Sequence, residues 1–189
     1  KANAIPNLAV IKLCTKSPII LLEKVRAWYD EKSALLADSE PDFSVSVKNL
    51  GDGEKLCISD ELKNKIIEFL GSLPNGVIKM SEDIEGLVET SLNLGILETK
   101  KTEIYIDFSL RSNKVSAMKY LEDRLKIFSK CIDGSYECFG HYPPWEFNAD
   151  SKLQGIYSEA YKEQFGKEPK IEAIHAGLEC GIFSSKIDG

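Results

Sequence analysis

Histidine and arginine are scarce in this chain. Among its 189 residues there are two histidines, His141 and His175, and three arginines, Arg26, Arg111 and Arg124. So few imidazoles make a self-contained Ser-His-Asp triad or a histidine-rich metal centre hard to assemble. No Cys-x-x-Cys pair occurs, and the five cysteines (14, 57, 131, 138 and 180) are odd in number and widely spaced. That argues against a disulfide scaffold or a structural zinc cluster, and it fits a reducing, cytoplasmic setting. The phosphate loop G-x-x-x-x-G-K-[ST], the dinucleotide fingerprint G-x-G-x-x-G and the nucleophile elbow G-x-S-x-G are missing as well, so their chemistries have no motif here. Positive charge is outnumbered, 24 Lys+Arg against 30 Asp+Glu, for a net charge of -6 and a pI near 5.1. An acidic surface repels phosphate backbones, so no nucleic-acid partner is expected. Apolar runs such as Ile19-Ile20-Leu21-Leu22 fall far short of the roughly 20 residues of a membrane helix, so no membrane partner is expected either.

What is present suits a folded domain. Hydrophobic residues make up 43% and charged residues 29%, and a chain of this length buries roughly 70% of its unfolded surface. It opens on Lys1 rather than Met and stops on a turn-like Ile187-Asp188-Gly189. It therefore reads as an internal segment of a longer protein, and a processed chain fits the same ends.

The pattern along the chain is mixed. Residues 8–13 read as a strand, and Pro18 opens a helix to about residue 38. Phe43, Val45 and Val47 alternate with polar residues as in a half-buried strand. Ser59 suits the N-cap of a helix reaching about residue 70, and Pro74-Asn75-Gly76 marks a turn. Residues 87–98 and 103–111 predict two strands of a hairpin. In the second, Ile104, Ile106, Phe108 and Leu110 face one side and Tyr105, Asp107, Ser109 and Arg111 the other. A helix is expected over about 114–131, a short strand over 136–140, a helix from Asp150 or Ser151 to about 165, a strand over 171–174, and a glycine-bounded turn or short helix over 176–183. Interleaved helices and strands around a central antiparallel meander argue α+β: a ferredoxin-like sheet with helices on one face. Tyr142 to Ala149, with two prolines, is the best boundary.

Few residues stand out chemically. His175-Ala176-Gly177-Leu178-Glu179-Cys180-Gly181 follows the last expected strand. Its glycines allow close approach of a ligand, and strand ends often carry sites. A tight turn with a solvated Glu179 and a packed Cys180 explains the same residues. Arg111 ends its strand just before Ser112-Asn113, an expected N-cap; its guanidinium can fork a carboxylate or pair with Asp107 or Asp123. The Asn3 amide can bind a ligand or cap its own turn. Cys14, Cys57, Cys131 and Cys138 have apolar neighbours, which predicts buried thiols.

Six segments taken in order go further: Asn3-Ala4-Ile5-Pro6, Leu73-Pro74-Asn75-Gly76-Val77, Val88-Glu89-Thr90-Ser91-Leu92-Asn93-Leu94-Gly95, Ser109-Leu110-Arg111-Ser112, Tyr142-Pro143-Pro144-Trp145 and Ile174-His175-Ala176-Gly177-Leu178-Glu179-Cys180-Gly181. Together they resemble the aminoacyl-histidine (Xaa-His, carnosine-type) dipeptidases, metallopeptidases of the aminoacylase and carboxypeptidase superfamily. Tyr-Pro-Pro-Trp departs from the family's usual Tyr-Pro-Gly-Trp. The resemblance implies a ferredoxin-like lid domain, of the dimerising type and N-terminally incomplete, over residues 1–147, and a partial return segment of the catalytic domain over 148–189. It implies a cytoplasmic enzyme with two divalent metal ions, zinc the expected metal, held by chain outside this segment. No catalytic or metal-binding residue is then expected here, and this segment alone would be inactive. It implies a small dipeptide substrate bound by Asn3, Arg111, which would hold the C-terminal carboxylate, Gly177 and Glu179, and a homodimer formed through the lid. The alternative is a non-enzymatic ferredoxin-like binding or dimerisation module.

Overall fold

The computed structural model describes residues 1, 3–51, 57–148, 150–176, 179–184 and 186, Ser184 by its backbone only. The chain divides into two units. One is residues 9–59; the other joins residues 1–8 to residues 60–189.

The unit of residues 9–59 is built on helix α1 (Pro18–Leu36), with Pro18 in its first turn. No residue of α1 is buried. Phe43 lies against Trp28 and Tyr29, with ring centroids 6.0 and 5.9 Å apart. The strands expected at 8–13 and 43–47 do not form. Alternation encodes a ribbon with one greasy face, but a strand also needs a neighbour for its N–H and C=O groups. Among the described residues this unit contains no strand to pair with, and Ile11, Leu13 and Val47 stay exposed.

The larger unit holds the sheet. Helix α2 (Asp60–Ser72) leads through Pro74-Asn75 into strands β1 (Gly76–Met80), β2 (Val88–Thr99) and β3 (Ile104–Ser112), and then helix α3 (Val115–Cys131). The strands lie in the order β1-β2-β3, each pair antiparallel. β1 was not expected. It is short and exposed at every residue, so it carries no burial alternation to read. Gly76 supplies its first turn with φ +93°, a value glycine adopts without strain. The Asn75 side chain ties this turn to β2, its Oδ1 accepting from the Leu94 N–H at 2.8 Å.

The hairpin is the best-formed element. Lys100 N–H donates to Glu103 O at 2.9 Å across the turn. Leu92 pairs with Leu110 and Leu94 with Phe108; Gly95 is then skipped and Ile96 pairs with Asp107. That surplus residue is a β-bulge, and it re-phases the strand so that β3 keeps its expected alternation. Leu92, Phe69, Leu73 and Leu125 form the buried core, with Ile106, Phe108, Leu110 and Phe128 packed around them. Phe69 meets Phe108 edge-on, centroids 6.2 Å apart. The α+β layering expected from the sequence is therefore present, with α2 and α3 supplying the helical side of the core.

Beyond α3, the stretches 136–140 and 171–174 are not strands. Helix α4 (Lys152–Phe165) is capped at both ends: the Ser151 side chain accepts from Gln154 N–H, and Gly166, left-handed at φ +68°, donates to Lys162 O. Helix α5 (Glu179–Ser184) is the last described helix. Gly181 lets it lie against the proline strap, since a Cβ there would stand 2.7 Å from Pro143 O. The five cysteines are all exposed, which corrects the expectation of buried thiols at 14, 57, 131 and 138. Apolar sequence neighbours do not bury a residue that sits at a helix end or in a loop. Cys14 and Cys57 lie together with sulfurs 2.6 Å apart, and their hydrogen bond raises the Cys57 thiol pKa. No helix among the described residues is long and apolar enough to cross a membrane.

Candidate functional site

The register of the hairpin decides which side chains meet. Leu92, Phe108 and Leu110 turn toward the helices, so their neighbours in sequence project from the opposite face. There Ser91 stands across from Arg111, and Asn93 across from Ser109. This open face carries two remote pieces of chain. Asn93 Nδ2 donates to Ala4 O at 3.0 Å, which anchors the segment beginning with Asn3. His175 is held by two residues of the hairpin. Its Nε2 lies 2.8 Å from Ser91 Oγ, and its carbonyl accepts from Arg111 Nη1 at 3.3 Å.

The electrostatics follow from this packing. Burial of the ring lowers the His175 pKa from its ordinary 6.5, and the Arg111 charge lowers it further; the Val88 backbone opposes both. His175 is thus favoured neutral, with one nitrogen free to accept from the Ser91 hydroxyl. Arg111 makes no ion pair among the described residues. Asp107, one of its expected partners, accepts instead from the Tyr105 hydroxyl at 3.4 Å, and Asp123 pairs with Lys119 and Lys126. Arg111 and His175 line one broad cleft with Trp145 and Cys180. In the same cleft Asn113 has a buried Oδ1 with no hydrogen-bond partner. A cationic fork can take a carboxylate, and an unmet acceptor in the same cleft can take an N–H donor.

The remaining expected residues are placed as follows. Asn3 is exposed in the turn of residues 1–4, one residue before the Ala4 that Asn93 holds. Glu179 is exposed in the first turn of α5. Neither lines the cleft of Arg111 and His175. Gly177 lies outside the described residues. The expected N-cap at Ser112-Asn113 is replaced: the cap of α3 is Lys114, Ser112 Oγ accepts from the Lys114 N–H, and Glu146 Oε1 accepts from the Val115 N–H at 3.1 Å. A carboxylate at a helix start satisfies an orphan N–H and meets the positive end of the dipole.

Among the described residues, only Glu122, Cys138 and His141 bring three metal-capable donors together, and they belong to α3 and the loop after it. That trio went unnoticed in the sequence, where Cys138-x-x-His141 was legible as a half-site but the third donor, from a helix, was not.

Comparison with known proteins finds similarity to dipeptidases. The cytosol non-specific dipeptidase of Escherichia coli (strain K12) is 31% identical over 183 residues, which are 96% of this chain and 38% of that protein. The crystal structure of aminoacylhistidine dipeptidase from Vibrio alginolyticus matches with a TM-score of 0.75 at 30% identity, covering 90% of this chain and 34% of that one. No family model matches. The chain spans little more than a third of the length of these relatives.

Proposed function

For a chain homologous to dipeptidases over nearly all of its length, we propose the role of the substrate-recognition portion of a metal-dependent, cytosolic dipeptidase that hydrolyses Xaa-His dipeptides. Residues 1–147 would be the lid and residues 148–189 the return to the catalytic domain. The observation that carries the reading is the placement of Arg111: a guanidinium with no carboxylate partner among the described residues, hydrogen-bonded to the carbonyl that opens the His175-Ala176 turn.

The assignment of roles follows the chemistry of a dipeptide, which offers one carboxylate, one amine and one scissile carbonyl. Arg111 forks the carboxylate, for which a planar guanidinium is the best match. The Asn3 amide donates an N–H to the carbonyl oxygen as negative charge develops. Glu179 holds the free amine, and Gly177 leaves room for the peptide backbone. Two divalent ions, zinc the expected metal, would supply the activated water. Their ligands are assigned to chain beyond residues 1–189, so this segment alone hydrolyses nothing. The exposed outer strand β1 supports a homodimer formed through the sheet edge.

The test uses the complete enzyme and two substrates, a dipeptide and its C-terminal amide. Arg111→Ala lowers kcat/KM for the free dipeptide by about 2–4 kcal/mol, the usual cost of losing one partner of a charged contact. It changes turnover of the amide little. Equal losses on both substrates, or no loss, overturn the role of Arg111.

A further inference from the structure

We propose that Glu122, Cys138 and His141 form a three-ligand site for a thiophilic divalent cation, with zinc the best fit. The inference stands apart from the dipeptidase reading, because it rests on these three side chains alone. Glu122 projects from α3 with its side chain largely covered. Cys138 and His141 come from the loop that follows, and Gly140 between them is left-handed at φ +63°. That turn folds Cys138 and His141 toward one helix face; a residue with a Cβ would resist it.

The geometry matches a metal better than it matches hydrogen bonding. Cys138 Sγ lies 3.8 Å from Glu122 Oε1, and His141 Nδ1 lies 3.7 Å from the same oxygen. All three donor atoms fall within 4.8 Å of one another. A tetrahedral zinc with bonds of about 2.3 Å to sulfur and about 2.0–2.1 Å to nitrogen and oxygen sets its ligands about 3.3–3.6 Å apart. Closing the trio onto an ion therefore needs shifts of a few tenths of an ångström to about 1 Å, within the reach of exposed side chains. One sulfur, one imidazole and one carboxylate form a donor set that suits zinc and not calcium or magnesium.

The surroundings orient the ligands. Lys126 Nζ lies 3.8 Å from the other Glu122 oxygen, Oε2, and leaves Oε1 for the ion. The Tyr136 ring sits under Lys126, with the Lys126 Nζ 5.5 Å from its centroid. Such outer contacts fix the rotamers that a metal needs. Binding would convert the Cys138 thiol to a thiolate and release its proton to solvent, giving a sulfur–metal bond for a sulfur–hydrogen bond. The fourth position would hold water. The ion would also pin residues 136–141 to α3, which no strand ladder does.

The experiment is a cobalt(II) titration of the full 189-residue chain after stripping with a chelator, followed by its near-ultraviolet thiolate-to-cobalt charge-transfer absorption. The expected result is a band that saturates at one equivalent and is displaced by zinc. It disappears in Cys138→Ser, and Glu122→Gln and His141→Ala weaken binding at least about tenfold. Cys57→Ser and Cys180→Ser leave it unchanged. If circular dichroism finds Cys138→Ser unfolded, His141→Ala in a chain with native dichroism decides the matter. No band up to millimolar cobalt, a band that survives Cys138→Ser, or full affinity in a folded His141→Ala overturns the site.

Discussion

The two faces of the hairpin are held by different physics. The face toward the helices is closed by Leu92, Leu110 and Phe108 against Phe69 and Leu125. Its contacts are apolar, short in range and costly to vacate. The other face holds its neighbours by single polar contacts: Asn93 on Ala4, Ser91 and Arg111 on His175. One face supplies stability; the other supplies groups that can exchange a chain partner for a ligand, because a hydrogen bond nets only about 1 kcal/mol.

The contrast can be broken at either face. Leu92→Ala, at a side chain with no exposed surface, should cost about 2–5 kcal/mol of stability in urea unfolding. Arg111→Ala should leave that stability nearly intact while removing about 2–4 kcal/mol from kcat/KM of the proposed dipeptidase. Gly181→Ala drives a Cβ toward Pro143 O. It should destabilise the contact of α5 with the proline strap by about 1–3 kcal/mol, seen as faster amide exchange in both segments. Ser91→Ala should loosen residues 171–176 by about 1 kcal/mol in the same measurement. Asn93→Ala, which removes an exposed hydrogen bond, should have the smallest effect, about 0.5 kcal/mol.

Acid should act on the open face through His175. The His175 pKa is held below 6.5 in the folded chain, so as pH falls the undocked or unfolded chain takes up its proton first. Docking of the His175 segment is complete above pH 6.5 and is lost as pH falls through the folded value. A proton NMR titration of the imidazole should place the His175 midpoint below 6.5. A midpoint above 6.5 would show the ring to be solvated or paired with an acid.

The sequence announced the helices and the hairpin well, because their signals are local. Pro18, the apolar spacing of α3, and the alternation from Ile104 to Leu110 each act within a few residues. The strands expected at 8–13, 43–47, 136–140 and 171–174 share one fault: a local apolar pattern says nothing of a partner strand. The site was half legible. Arg111 could be placed at a strand end beside a helix start, but its bond to a carbonyl 64 residues away could not. The glycine-flanked acid, imidazole and thiol of residues 175–181 were legible as an unusual segment, though not the hairpin residues that His175 meets. The meeting of Cys138 and His141 with Glu122 depends on which way the loop folds after α3, and no local pattern encodes that.

Gly95 has a consequence of its own. It is the one β2 residue skipped between Leu94 opposite Phe108 and Ile96 opposite Asp107. Excising it would leave every rung of that ladder with its present mate. What would alter is the bend of the ribbon, and with it the direction in which Lys100 and its neighbours at the tip are aimed. This single spare link steers the far end of the hairpin while the end bearing Arg111 stays where it is.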